Sequence, residues 1–423
     1  MTSEAFPIDR LRREFPALER AGDFVFFDNA AGAQVPRRVL DAVNDHLIAR
    51  NVQRGGVYRY SREVDAMIAR ARASVAVFVN ASSADEIAFG LNATSFIRAI
   101  SLGVGQTLGE RDEVIVTDLD HEANIATWLA LERAGARIVW WRVRADHRLH
   151  VEDLRQLVSE RTRLVACALA SNAIGVRVDV AAAADVARAA GAELFVDAVH
   201  YGPHGLIDVQ AYGCDYLVCS GYKIFAPHMG FIWCRREAID RLPTFREHFI
   251  PDTMPDKLEA GTYVYENVAG MDAAVGYIED LGRSLAGSSR ELSRRDAIER
   301  AMHAIARYER DLSIALVDAI LAANGTHLMG FADQREIENR VPTVSFTADD
   351  VDPNLIVDEL SARGIGARSG HMYSPRLMNR LGVMPAGVVR ISLVHYNTAD
   401  EVARFKAALA EAIEEVRAGQ RVR

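Results

Sequence analysis

Between about residues 60 and 280 the chain alternates repeatedly between amphipathic helical stretches and short apolar runs, and this rhythm restricts the possible folds more than any other feature. Helical periodicity over 62–79, 94–103, 122–134, 151–158 and 181–190 is followed in turn by strand-like runs at 86–90, 113–117, 137–142, 163–170 and 193–197. Runs near 215–220 and 230–234 close the series. Strands separated by helices pair in parallel, because the chain must cross back over the sheet before it can run in the same direction. The pattern therefore predicts an α/β fold: a mainly parallel, seven-stranded sheet with helices on both faces. In such sheets ligands bind beyond the carboxyl ends of the strands.

The flanks read differently. Residues 1–21 are short, charged and amphipathic, an N-terminal arm packing with the small domain. A short strand over 24–27 turns out through Asp28-Asn29-Ala30-Ala31-Gly32, and Pro36 opens a helix to about residue 50. After residue 270 a long helical stretch over 268–323 breaks near 282–289. Strands at 341–346, 366–368 and 388–393 then alternate with helices at 353–363 and 399–417. This predicts a smaller α+β C-terminal domain. The expected division is an arm at 1–21, a large domain at 22–275 and a small one at 276–423. A chain of 423 residues is long enough for two cores.

The net charge of −9 argues against nucleic acid or an anionic membrane surface as a main partner. No 18-residue apolar run and no N-terminal apolar segment occur, so neither a membrane span nor a signal peptide is expected. The four cysteines, Cys167, Cys214, Cys219 and Cys234, show no metal-ligand spacing. They read as reduced core thiols of a cytoplasmic protein, and no metal is expected.

Two strand ends carry the chemistry. The run 193–196 ends in Asp197, and the run 216–219 leads into Ser220-Gly221-Tyr222-Lys223. A strand-end Asp often caps a helix and a strand-end Lys is often solvated. On adjacent strands, however, the pair meets the needs of pyridoxal 5′-phosphate. The lysine amine links to the cofactor aldehyde, and the carboxylate keeps the pyridine nitrogen protonated, making the ring an electron sink. The Asn92-Ala93-Thr94-Ser95 stretch after a strand reads as a helix N-terminus. Its backbone N–H groups and hydroxyls suit a phosphate dianion, although plain N-capping predicts the same local structure.

Further motifs follow in order: Phe27-Asp28-Asn29-Ala30-Ala31, Arg54-Gly55-Gly56, His121-Glu122-Ala123-Asn124, Ser171-Asn172, Asp197-Ala198-Val199-His200, Glu259-Ala260-Gly261-Thr262, Arg368-Ser369-Gly370-His371 and Arg390-Ile391-Ser392-Leu393. With the Lys223 motif they make the chain resemble, over nearly its whole length, the fold-type I pyridoxal-phosphate enzymes of the class V aminotransferase family. Within it, the wording is similar to the cysteine desulfurase-like and isopenicillin-N-epimerase-like group. The resemblance implies that Lys223 carries the cofactor and then acts as base at Cα, that Asp197 holds the pyridinium, and that His121 stacks on the ring. It adds Ala93, Thr94, Asn172, Ser220 and Tyr222 to the cofactor-binding set, with Tyr222 where the family usually has His. His200 stands where desulfurases usually have Gln. Thr262 would reach the phosphate of a neighbouring subunit, implying a homodimer. Arg390 would grip the α-carboxylate of an amino-acid substrate, with Asn29, Arg54, Tyr58 and Arg368 on the substrate side.

One family residue is missing. The nucleophilic cysteine of a desulfurase normally follows the Gly-His pair of the C-terminal loop, and this chain reads Gly370-His371-Met372-Tyr373-Ser374. A phenol cannot hold a persulfide. The expectation is therefore a lyase that breaks a C–S bond by β-elimination from cysteine or a cysteine S-conjugate, with Tyr373 as a substrate contact or acid. Epimerisation, transamination, desulfuration and a catalytically silent binding protein are the alternatives.

Overall fold

The computed structural model describes residues 6–286 and 291–421. After the short β1 (Val25–Phe26), seven strands build the main sheet: β2 (Ile87–Gly90), β3 (Glu113–Thr117), β4 (Arg137–Trp141), β5 (Thr162–Ala168), β6 (Glu193–Asp197), β7 (Tyr216–Ser220) and β8 (Gly230–Cys234). Their order is β2-β8-β7-β6-β5-β3-β4, and every neighbouring pair is parallel except those made by β8. The link from β7 to β8 is too short for a crossover helix, so β8 must return antiparallel. That link carries Lys223.

Side chains along the central strands alternate between two cores. Leu164, Ala166, Phe195, Tyr216 and Val218 pack with Phe96, Ile97, Ile100 and Val104 of the helix Ala93–Gln106. Val165, Cys167, Leu194, Val196, Leu217 and Cys219 face the other way, against the helices Arg59–Val79 and Tyr265–Ser284. A sheet apolar on both faces has to be covered on both, which is what its near-continuous hydrophobic strands demand.

The C-terminal part adds β9 (Thr326–Met329), β10 (Thr343–Ala348), β11 (Ile365–Gly366), β12 (Arg368–Gly370) and β13 (Val388–Ser392). An antiparallel sheet runs β12-β13-β10-β9, and β11 pairs separately and in parallel with β1. Residues 24–27, grouped with the large domain from the sequence, thus pair with this half, and Val25 and Phe27 join its core beside Val389 and Ile391. A pairing of Val25 with Ile365 leaves no local trace in the chain. The helix Arg294–Leu321 serves both cores, through Ile298 and Ile305 at one end and Leu316 and Ile320 at the other.

The N-terminal arm holds two short helices, Ile8–Arg12 and Pro16–Arg20, and residues 1–5 lie outside the described residues. Arg12 donates to the Tyr396 carbonyl at 2.6 Å and to Glu401 at 2.9 Å, tying the arm to the C-terminal helix Ala399–Arg421. The long helical stretch stops at Ser284 and resumes at Arg294, and part of the expected break, 287–289, lies outside the described residues. The helix expected over 122–134 divides into Ala123–Leu129 and a tighter turn, Ala130–Ala134. Strand β9 and the helix Pro375–Arg380 have no counterpart in the sequence reading. Both are too short to show a period. Among the described residues no helix is long and apolar enough to cross a membrane.

Candidate active site

A cavity opens beyond the carboxyl ends of β5, β6 and β7. Ala93, Thr94, His121, Asn172, Asp197, His200, Ser220, Tyr222 and Lys223 all line it, with Asn92, Ile97, Ala123, Ala168, Ala170 and Val199 completing the walls. The sheet order explains the convergence. Asp197 ends β6, Ser220 ends the adjacent β7, and the turn Gly221–Lys223 swings the lysine back over the sheet edge. Gly230 lets the helix Ala93–Gln106 begin against this point, since a β-carbon there would lie 2.5 Å from the Asn92 carbonyl carbon. Asn92 caps that helix by accepting from Ser95 N at 2.9 Å, and the Ala93 N–H points to Ser220 Oγ at 3.4 Å. The positive end of a helix dipole and two hydroxyls, from Thr94 and Ser220, therefore share one corner of the cavity.

Lys223 is buried, and burial, reinforced by the nearby Arg390 charge, pushes its amine down to about 8, against a smaller upward pull from Asp197. Burial raises the Asp197 carboxyl, opposed by the Val199 N–H that donates to it at 2.9 Å and by the Lys223 charge. Burial, with Lys223 and Arg390, lowers His121 to about 4, so its ring is neutral at physiological pH. His121 Nδ1 accepts from Ala123 N at 3.0 Å, which fixes the ring at the head of its helix. Beneath it Asn124 donates to Asp120 at 2.6 Å and accepts from Trp128 at 2.9 Å, a buried chain that anchors the same turn. His200 is held well below its usual range by burial; its Nε2 meets Thr343 Oγ1 at 3.0 Å, while Nδ1 is buried with no partner.

Arg390, in β13, is buried and spans two loops. Its Nη1 donates to the Asn172 carbonyl at 2.9 Å and its Nη2 to Asp28 Oδ1 at 2.8 Å, leaving Nε without a partner. Arg368 takes the other Asp28 oxygen at 2.8 Å from Nε. The sequence alone does not single out Asp28, although it sits in the motif that ends β1; only the fold brings it to the two arginines. Tyr373 is exposed, with its ring 5.7 Å from the His121 ring in a stacked orientation, and its carbonyl accepts from Glu122 N at 2.8 Å. Tyr373 and Met372 both hold positive φ angles, of 58° and 51°, which shapes the tight turn of that loop.

Seven of the expected site residues do not line the cavity: Arg390, Arg368 and Tyr373, described above, and Asn29, Arg54, Tyr58 and Thr262. Asn29 gives its amide to the Phe26 carbonyl, the Ser392 carbonyl and Asn397 Oδ1 at 2.7, 2.9 and 3.1 Å, which ties β1 to β13. Arg54 joins Asp256 and Glu259 at 3.2 and 3.4 Å, in a network completed by Arg72 and Tyr263. Tyr58 is half exposed at the start of the helix Arg59–Val79. Thr262 is exposed and accepts from Gln53 Nε2 at 2.8 Å.

The donor set fits pyridoxal 5′-phosphate: an amine of depressed pKa, a buried carboxylate, an imidazole nitrogen without a partner, a neutral ring at the wall and a helix N-terminus beside two hydroxyls. The comparisons agree. The Aminotransferase class-V family model matches residues 25–405, and the chain belongs to that family, whose members use pyridoxal 5′-phosphate. It is 34% identical to an aminotransferase-like protein of Gibberella zeae, over 97% of this chain and 99% of that one. It is 30% identical to a probable cysteine desulfurase of Streptomyces coelicolor, over 97% of each. The crystal structure of the cysteine desulfurase CsdA from Escherichia coli superposes with a TM-score of 0.83 at 26% identity, covering 98% of this chain and all of that one.

Proposed function

We propose that this protein is a C–S β-lyase, acting on cysteine or a cysteine S-conjugate without an enzyme-bound persulfide. The observation that carries the reading is the position of Tyr373, in the loop beside His121, together with the burial of all four cysteines. Burial pushes the thiols of Cys214 and Cys219 up to about 12 and raises Cys167 and Cys234 well above the ordinary thiol range. Thiolate is the nucleophilic form, so none of the four suits attack on a substrate sulfur.

When bound, the cofactor supplies an electron sink for negative charge at Cα. The Lys223 amine takes the Cα proton, and its depressed pKa keeps a useful neutral fraction near pH 8. Arg390 orients the α-carboxylate through a guanidinium preset by Asp28 and the Asn172 carbonyl. With the cofactor in the cavity, Asp197 would balance a pyridinium charge and His121 would wall one side of the ring. Tyr373 lies with its ring 5.7 Å from that of His121, where a phenol can contact the departing sulfur group. Epimerisation and transamination start from the same proton removal and are the competing outcomes.

The working unit in this reading is a cytoplasmic homodimer. Val57 and Ile48 are 83% and 86% exposed and Phe245 and Phe249 are 90% and 80% exposed, apolar surface of the kind that a second copy covers. Thr262 would then complete the phosphate cradle of the opposite site. The reading is tested by turning over L-cysteine, alkylating during turnover and mapping sulfur adducts. Turnover with no persulfide on the protein supports it; a persulfide on any of the four cysteines overturns it.

A further inference from the structure

A second cavity, of about 310 Å³, lies between the loop after β5 and the helix Arg294–Leu321. It shares no lining residue with the cofactor cavity, from which the neighbouring rings of His204 and His200, 5.5 Å apart, separate it. Four arginines face it: Arg177, Arg307, Arg310 and Arg340. Among the described residues the only ion pairs at this cavity are Arg310 with Glu338 at 3.5 Å and His204 with Glu309 at 2.9 Å. Three guanidinium groups are therefore left without a carboxylate.

Arg340 is the informative one. It is 5% exposed, its guanidinium donates to the carbonyls of Phe331, Ile174 and Thr343 at 2.8, 3.2 and 2.8 Å, and it lies 5.7 Å from the centre of the Phe331 ring. Its Nε is buried with no partner. A buried cation held by carbonyl dipoles and one ring face, with no counter-charge, is costly, and the usual remedy is an anion. Burial lowers its pKa to about 10, with no acidic group acting in the other direction. Arg177 is likewise fixed by backbone, donating to the Glu338 carbonyl at 2.7 Å while its guanidinium lies 5.1 Å from the centre of the Tyr201 ring. Glu309 in the cavity wall has one oxygen held by His204 at 2.9 Å and the other buried without a partner, and burial raises its carboxyl.

We propose that this cavity binds a small phosphorylated anion, at a site separate from the cofactor. Arg177, Arg307 and Arg340 come from three different segments of chain and line the same cavity. That arrangement suits the several faces of a tetrahedral phosphoryl group better than one planar carboxylate. The inference rests on this cavity alone and stands whether the main site performs elimination or another reaction.

The test is calorimetric titration of cofactor-saturated protein with pyrophosphate at constant ionic strength. Saturating the cofactor blocks the phosphate cradle of the main site. Arg177→Ala and Arg307→Ala change exposed residues away from the cofactor cavity. The expected result is saturable binding, weakened about tenfold or more by either substitution, as the loss of a charge-assisted contact implies. Malonate at the same ionic strength is expected to bind at least about tenfold more weakly, having only planar carboxylates to offer. No saturable heat, equal affinity in both variants, or malonate binding as tightly as pyrophosphate would overturn the proposal.

Discussion

Asp28 holds Arg390 in place, its Oδ1 accepting from Nη2 at 2.8 Å while its Oδ2 is taken by Arg368. One carboxylate thus presets a buried guanidinium and leaves Nε free of any partner. In the proposed reaction, replacing Arg390 by Ala would remove the carboxylate grip while leaving Asp28 paired with Arg368. The expected effect is a rise in KM for the amino-acid substrate of roughly tenfold to a hundredfold, from a charged hydrogen bond worth about 1.5–3 kcal/mol. Steady-state kinetics with thermal melting alongside checks it: an unchanged KM in a folded variant removes Arg390 from substrate binding.

The Lys223 amine should report its environment directly. Only the neutral amine links to an aldehyde, so loading of cofactor onto the apoprotein should accelerate as pH rises through about 8 and level off above it. The stability consequence has a definite sign. The folded pKa lies below the ordinary value of 10.5, so between about 8 and 10.5 the unfolded chain binds more protons, and apoprotein stability gains from this group as pH rises. Stopped-flow absorbance against pH reads the first effect. Borohydride reduction and peptide mapping should place the adduct on Lys223, and none should form in Lys223→Ala.

The buried thiols predict silence. Native protein at pH 7 should resist iodoacetamide at Cys167, Cys214, Cys219 and Cys234, and all four should react after unfolding. Tyr373→Cys should then add one reactive thiol, because that position is exposed beside His121. Rapid native labelling of any wild-type cysteine would reopen a thiol mechanism.

Thr262 lies outside the cavity of its own chain, and its hydroxyl meets Gln53 Nε2 at 2.8 Å. In a homodimer that shares its sites, Thr262→Ala should loosen the cofactor about tenfold by removing one charge-assisted hydrogen bond to phosphate. Fluorescence titration of apoprotein measures this. An active monomer by sedimentation, or unchanged cofactor affinity in the variant, excludes a shared site.

Much of this architecture could be read in the chain because local pattern and global fold agree. Each helix–strand unit of the main sheet shows its period, so Asp197 and Ser220–Lys223 could be placed at strand ends before any contact was known. The pairing of β1 with β11 and the reach of the helix Arg294–Leu321 into both cores could not, since they depend on contacts between distant parts of the chain. Asp28 escaped notice for the same reason: an acid in a turn says nothing of the two arginines that the C-terminal sheet brings to it. The resemblance sets Arg54 on the substrate side, and within the folded chain it also pairs with Asp256 and Glu259, contacts that its neighbours in sequence do not announce. His200 could be placed on the cofactor side, but its bond to Thr343 crosses to the C-terminal half and has no sequence signature.

The central claim is elimination at Cβ without an enzyme thiol. The most direct measurement is product analysis of cofactor-loaded protein given S-methyl-L-cysteine in deuterated water, with L-cysteine run in parallel. Pyruvate, ammonia and methanethiol in equal amounts are the predicted result. Alanine with released sulfur from L-cysteine, or recovered amino acid carrying deuterium at Cα with no thiol formed, would contradict it.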